Sequence, residues 1–366
     1  MTDNVTDSPD LNAVIAGLLR DLAQVQKLKQ KKYAYARAAL AISNLDEPIQ
    51  TYLHADGTLD KIPHVGPSST RVILEVLQTG ESATVAKAIA ASGGTSKTDE
   101  SRMWRQHFLT RARVRAALAN TALHGPSLDQ YRGDLQMHST WSDGSQSLED
   151  LINEGIARGY EYCAVTDHSH GLSIAGGLSM ERFTQQHQEI DGLNARFKSR
   201  FRLLKGVEAN IQADGSLDMT AAELRHMEIV VAAPHAVLRA THDQTDRMIR
   251  AVQTPGVHIL GHPRGRKYGE RPGVSADWRR VFAAAKASNV AVEIDGDPSR
   301  QDIDYALARD AIAAGCLFAL DTDAHSTSEF DYIDTAIAHA RLAGVPAELV
   351  VNTWPLSKLL KWARSR

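Results

Sequence analysis

YCAVTDHS, residues 162–169, reads as four apolar residues of strand type followed at once by Thr166, Asp167, His168 and Ser169. The same order, an apolar run and then acids and histidines, recurs along the C-terminal two thirds of the chain. Runs at 201–207, 229–233, 257–260, 290–294 and 317–320 have strand composition, and 349–351 offers a weaker seventh. Helical patterns lie between them, and short strands alternating with helices from about residue 131 onward predict an α/β domain with a largely parallel sheet. Polar residues follow five of these runs directly, as Thr166-Asp167-His168, Gly206-Val207-Glu208, Ala233-Pro234-His235, Gly261-His262-Pro263 and Asp321-Thr322-Asp323-Ala324-His325. An earlier stretch, Gly133 to Gly144, adds Gln136, His138 and Asp143. In an α/β barrel the loops after the strands meet at one mouth, so these side chains are expected to face a common site.

Composition sets the outer limits. A chain of 366 residues has room for one large domain, or one large and one small. A hydrophobic fraction of 43%, 23% charged residues and a net charge of −3 fit a soluble globular protein and exclude wholesale disorder and collagen-like repeats. No run of about 18 apolar residues marks a membrane span, and MTDNVTDSPD lacks the basic start and apolar run of a signal peptide, so a cytoplasmic protein with no membrane partner is expected. The two cysteines, Cys163 and Cys316, rule out a disulfide framework and read as buried small hydrophobes. Residues 1–125 hold 15 Lys/Arg against 12 Asp/Glu, and the remainder 26 against 32, so a mildly basic part precedes an acidic one.

The basic part divides further. Residues 1–10 read as a flexible leader. Apolar spacing from Leu11 to Leu22 predicts a helix with Asp10 or Asn12 as its N-cap, and an Ala-rich helix with Tyr33, Tyr35 and Arg37 follows four lysines. Residues 81–130 read as a linker broken around Gly93-Gly94, then an Arg-bearing helix over roughly 101–122. Between them, Ile62-Pro63-His64-Val65-Gly66 followed by Pro67, Ser68 and Ser69 resembles a helix-hairpin-helix motif. In such a motif a glycine-containing turn and a helix N-terminus meet a DNA phosphate, which makes Val65, Gly66, Ser68 and Ser69 the candidate contacts and positive φ at Gly66 an expectation. The second glycine of many such motifs is replaced here by Pro67-Ser68. A plain helical packing unit with a solvated charged face is the alternative. Residues 11–80 as a whole resemble the N-terminal domain of family-X DNA polymerases.

Imidazoles and carboxylates suit Zn, Mn or Fe, and bridging carboxylates hold paired ions. The ordered set of strand-end ligands resembles the polymerase and histidinol phosphatase (PHP) superfamily, most closely the PHP domain of bacterial family-X DNA polymerases. Residues 130–366 carry this resemblance through TDHSHGLSIAGGLS (166–179), GHPRGRKYG (261–269), EIDGDPSRQDID (293–304) and NTWPLSKLLKWAR (352–364). It implies a distorted (βα)7 barrel over 131–366 with two to three divalent ions. It also implies ligands Gln136, His138, Asp143, His168, Glu208, His235, His262, Asp323 and His325. A first ion is implied near Gln136, His138, Glu208 and Asp323, a second near Glu208, His235 and His262, and a third near Asp143, His168 and His325. Gln136 stands where active members carry His, which weakens the first site toward Zn. Arg264, Arg266 and Lys267, just after His262, are candidate phosphate-binding cations.

The expected activity is hydrolysis of phosphate esters by a metal-activated water, with His138, Glu208, Asp323 and His325 central to it. The hairpin domain and the resemblance together point to DNA 3′ ends as substrate, in the manner of a 3′–5′ exonuclease or 3′-end repair enzyme. A histidinol-phosphatase-like small-molecule phosphatase is one alternative, and a non-catalytic DNA-binding scaffold with a weakened first metal site is another. Only 52 residues separate Gly80 from Gly133. That is too few for a polymerase palm, so DNA synthesis is not expected.

Overall fold

The computed structural model describes residues 9–93 and 95–366, and most of the expected leader lies outside them. Two compact units result, one reaching Asn120 and including Tyr268–Glu270, the other Thr121–Lys267 with Arg271–Arg366.

The first unit is helical: α1 Leu11–Val25, α2 Lys29–Ser43, α3 Pro67–Thr79, α4 Ala83–Ser92, α5 Thr95–Met103 and α6 Arg111–Ala119. Asp10 caps α1 by accepting from the Ala13 amide, as expected, whereas Asn12 is buried and accepts from the Ile49 amide at 2.7 Å. The core gathers Ile15, Leu19 and Leu22 of α1, Ala38 and Ile42 of α2, and Val72 and Val76 of α3. Residues 81–92 are not a linker. Ser82 caps α4, Val85 and Ile89 join that core, and Glu75 accepts from the hydroxyls of Ser82 and Thr84. The expected helix over 101–122 is interrupted: α5 ends at Met103, and the Thr110 side chain starts α6 by accepting from the Arg113 amide. Arg102 in the last turn of α5 and Arg105 just after it both reach Asp21, a carboxylate buried in α1. Between Gly80 and Gly133 no strand occurs among the described residues.

The second unit is an α/β barrel. Six parallel strands, β1 Tyr162–Val165, β2 Arg202–Asn210, β3 Ile229–Ala233, β4 Ile259–Leu260, β5 Ala291–Asp295 and β6 Leu317–Asp321, pair in sequence order. Helices α7 Leu148–Ala157, α8 Met180–Phe197, α9 Ala221–Leu224, α10 Thr245–Gln253, α11 Trp278–Ala287, α12 Tyr305–Ala314 and α13 Ile333–Ala343 precede, separate and follow them. The seventh stave is not the run at 349–351, which forms 3₁₀ turns. It is the segment 134–138, whose Asp134 and Met137 carbonyls accept from the Ala164 and Thr166 amides, while the His138 amide donates to the Ala324 carbonyl. Pairing on both sides places this segment between β1 and the residues after β6.

Alternation along the strands explains how one interior holds both core and site. Successive inward positions on a strand lie two residues apart. Tyr162, Leu204, Ile229, Ile259, Ala291 and Ala319 share one apolar cluster, which Trp354, Leu359 and Trp362, the last two from α14 Leu356–Ala363, close off. Two and four residues further on, the same face carries Glu208, Glu293, Asp295, Asp321 and, just past β6, Asp323. All five are buried. The barrel is therefore apolar toward the N-terminal ends of its strands and acidic toward their C-terminal ends.

Candidate metal centre

Glu208, fully buried near the end of β2, is the hub. Its Oε1 lies 2.9 Å from His262 Nε2 and 3.1 Å from His235 Nε2, and its Oε2 lies 3.2 Å from both His138 Nε2 and His168 Nδ1. Four imidazoles from four different loops thus converge on one carboxylate. Asp323 Oδ1 stands 3.1 Å from His138 Nε2 on the other side. Asp143 reaches toward His168 and His325 at 3.5 Å each. Gly144 makes this turn feasible, because a Cβ there would sit 2.4 Å from the His138 carbonyl oxygen.

The donors form three tight groups: His138, Glu208 and Asp323; His168, Glu208 and His235; and His138, Asp143, His168 and His325. The nine expected ligands are thus brought together, with a different partition. His168 and His138 are each shared between groups, and His262 joins through its contact with Glu208. Gln136 is buried beside Asp323, its Nε2 3.4 Å from Asp323 Oδ1.

Do these residues fit divalent cations? Gln136 Oε1, Glu208 Oε2, His138 Nδ1, His168 Nδ1, His262 Nδ1 and both ring nitrogens of His235 are buried without a hydrogen-bond partner. Buried polar atoms in folded proteins are almost always satisfied, so a cluster of orphaned oxygen and nitrogen donors is a site built for something that accepts lone pairs. Electrostatics agree. Burial opposes ionisation of Glu208, but the imidazoles of His168 and His235 hold its carboxyl well below the usual range. Burial likewise opposes charge on His138, yet its contacts with Asp323 and Glu208 raise it well above the ordinary histidine value. The cluster draws positive charge inward, and the donor set fits divalent ions.

Supporting contacts fix the ligands. His325 Nδ1 donates to the Asp323 carbonyl at 2.7 Å, which leaves Nε2 as its ligating atom. Asp167 accepts from the Ser139 amide and from the hydroxyls of Ser139 and Ser142, bracing the loop that carries His138 and Asp143. His262 and Asp323 both adopt positive φ, at 22° and 53°, and Glu293 holds the former by accepting its amide.

Arg264 and Arg266 do not point into this centre. Arg264 is paired with Asp302 and Asp304, and Arg266 with Asp304 and the carbonyls of Arg300 and Gln301. Lys267 is half-buried, its backbone paired with Arg271. The cation beside the ligands is Arg300, whose Nε is 3.3 Å from Asp323 Oδ2. Its motif, EIDGDPSRQDID, was legible in the sequence, but distance from the ligands along the chain concealed its place.

In the helical unit, Gly66 is the N-cap of α3 with φ −96°, a conformation open to any residue, and His64 takes the positive φ of the hairpin instead. Val65 is half-buried and Ser68 exposed, but Ser69 is buried, which removes its side chain from the candidate contact set.

Comparison with known proteins agrees with both units. A helix-hairpin-helix domain model matches residues 10–82 and a PHP domain model residues 134–313. The chain is 39% identical over 226 residues to the "DNA polymerase/3'-5' exonuclease PolX" of Bacillus subtilis, a match covering 62% of this chain but only 40% of that protein. It is 29% identical to a "Probable phosphatase" of Citrobacter koseri, over 64% of this chain and 95% of that one. Among solved structures, the histidinol phosphate phosphatase of Lactococcus lactis superposes with a TM-score of 0.41 at 16% identity, covering 57% of this chain and 94% of that one. The chain therefore carries a helix-hairpin-helix domain followed by a PHP domain.

Proposed function

We propose that this protein is a metal-dependent phosphoesterase acting on DNA 3′ ends, of the 3′–5′ exonuclease or 3′-end repair type. The observation that carries the hydrolytic part is the buried Glu208 carboxylate ringed by four imidazoles, with unpartnered donor atoms on every side. His138, Glu208 and Asp323 would hold one ion, His168, His235 and Glu208 another, with His262 adding a donor to Glu208's side, and Asp143, His168 and His325 a third. Gln136 Oε1 would complete the first set. Divalent ions bound there supply Lewis acidity toward a phosphate ester and its attacking water at neutral pH. The protein's own part is to gather the donors, to hold the Glu208 carboxyl ionised, to orient His325 through the Asp323 carbonyl, and to exclude bulk water from the buried ligands.

Three features support DNA as substrate: the helix-hairpin-helix domain, the exonuclease named in the Bacillus relative, and the surface of α2. That helix exposes Lys29, Lys31, Lys32, Tyr33 and Arg37, with the Arg37 guanidinium 5.6 Å above the Tyr33 ring and 2.6 Å from His64 of the hairpin. Cations interleaved with an exposed aromatic ring suit a nucleic-acid strand. Open space above Gly66 gives a phosphate backbone room to approach.

A second reading, a small-molecule phosphatase, draws on the Citrobacter relative, which matches this chain over 95% of its own length. Assays in Mn²⁺ on a 3′-recessed duplex, a 3′-phosphorylated duplex and histidinol phosphate separate the two. Release of nucleotides or phosphate from DNA is expected, and turnover of histidinol phosphate alone would overturn the DNA assignment. No turnover of any of the three, with less than one tightly bound metal per chain, would favour a non-catalytic scaffold.

A further inference from the structure

Strand β2 continues past Glu208. Asn210, its last residue, lies two positions further along the same face and is only 5% exposed. On one side it pairs across to Ala233, two residues before His235. On the other, Ser169, the neighbour of His168, donates its amide to the Glu208 carbonyl. The Asn210 side chain therefore stands beyond Glu208 toward the mouth of the barrel, between the staves that bring in His168 and His235.

Its amide has one orientation. Nδ2 donates to Asp218 Oδ2 at 2.7 Å and to Ser169 Oγ at 3.2 Å, and the Asn210 backbone amide donates to Asp218 Oδ1 at 2.9 Å. Asp218 also accepts from the Ser169 hydroxyl at 2.6 Å and from the Gly171 amide at 2.9 Å. Surrounded by donors, Asp218 acts as an acceptor only, so a flipped amide would set oxygen against oxygen. Oδ1 of Asn210 is thus directed away from Asp218. It is buried and has no hydrogen-bond partner among the described residues, which in a folded protein marks an acceptor kept for a ligand.

The chemistry of the centre selects that ligand. The non-bridging oxygens of a phosphodiester are acceptors themselves and are repelled by an amide oxygen, whereas a reactant with an O–H is held by it. The reactant with an O–H in every ester hydrolysis is water. We propose that Asn210 Oδ1 accepts a hydrogen bond from the attacking water and so turns its lone pair toward phosphorus, while Asp218 holds the amide in place. This rests on the phosphoesterase reading above. An amide oxygen is too weak a base to take the proton, so the contribution is orientation of the nucleophile.

The test follows hydrolysis of two diesters by the Mn²⁺-loaded full chain, with metal content measured on the same samples. Bis-p-nitrophenyl phosphate has no hydroxyl, and the p-nitrophenyl ester of thymidine 5′-phosphate has one. Asn210→Ala is expected to lower kcat about a hundredfold on both, at unchanged KM and metal content. Asn210→Asp keeps an acceptor oxygen at that place and should recover part of the rate. Should Asn210→Ala fail to fold, Asn210→Ser, which can still donate to Asp218, carries the same prediction. A kcat within threefold of wild type would overturn the proposal. So would loss of metal, because that marks Asn210 as a support for His235, whose Nδ1 is also unpartnered. A loss confined to the thymidine ester would overturn it too, since Oδ1 would then hold the substrate's own hydroxyl. If the loaded wild type turns over neither ester, the phosphoesterase reading falls, and this proposal with it.

Discussion

Glu208 concentrates the consequences of the site in one side chain. It contributes to two of the three donor groups, so Glu208→Ala should remove ligands from two ions together. Metal content measured after dialysis should fall by about half or more, with hydrolysis reduced at least a hundredfold, as for loss of other central catalytic groups. Wild-type metal content in this variant would contradict the assignment. Gln136 makes the opposite prediction. An amide oxygen is a weaker donor to Zn than an imidazole, so Gln136→His should raise metal content or turnover, and no change in either would show that the first group is not weakened by its glutamine. Most of the ligands were legible because they lie at or just after the C-terminal end of an apolar strand run, and strand ends in a barrel share one mouth. Arg300 was not legible in the same way. Its distance to Asp323 depends on a loop whose base is fixed by Arg264 and Arg266, and those two cations, adjacent to His262 in the chain, drew the phosphate role that their ion pairs with Asp302 and Asp304 leave no room for.

Among the elements, α1 and the strands make separate predictions. Asp21 of α1 accepts from Arg102 and Arg105, and Arg105 is buried to 6% side-chain exposure. Asp21→Ala would leave that guanidinium without its counter-charge, at a cost of about 3 to 5 kcal/mol to the helical unit. Urea unfolding watched by circular dichroism measures it, and a loss under about 1 kcal/mol would contradict a buried pair that matters to the fold. His258 ties β3 to the C-terminal helix. Its Nδ1 accepts from the Val230 amide at 2.9 Å and its Nε2 donates to the Ala363 carbonyl at 3.0 Å, so only the neutral ring fits. Burial pushes it down to about 4 from an ordinary 6.5. The unfolded chain therefore binds the extra proton between about pH 6.5 and 4, and stability falls with pH through that window by roughly 3 kcal/mol from this group. His258→Gln should flatten that part of the stability profile, and an unchanged slope would count against the buried neutral ring. At this scale the fold departs from expectation where apolar signal is sparse. Only Val85 and Ile89 mark α4 among alanines, so it reads as linker. The first stave, 134–138, has no apolar run at all, because its residues alternate between core and ligands.

For the whole molecule, the helix-hairpin-helix domain and the PHP domain carry separate predictions. No described helix is long and apolar enough to cross a membrane. The exposed cations of α2 should make binding of single-stranded DNA fall with salt, by about 0.7 in the logarithmic slope for each phosphate neutralised. Replacing Lys29, Lys31 and Lys32 with Gln should reduce that slope by about 2 in fluorescence anisotropy titrations. An unchanged slope would place the DNA contact elsewhere. The α/β barrel itself was readable from the spacing of its strands, and its chemistry from the acids and histidines at their C-terminal ends. Whether this barrel hydrolyses phosphate esters through ions held on Glu208 is tested most directly by hydrolysis of bis-p-nitrophenyl phosphate before and after chelation. Turnover is expected to be abolished by EDTA, restored by Mn²⁺ in the wild type and not restored in Glu208→Ala. Turnover that survives exhaustive chelation, or that Mn²⁺ restores equally in Glu208→Ala, would contradict a metal-dependent hydrolase built on this carboxylate.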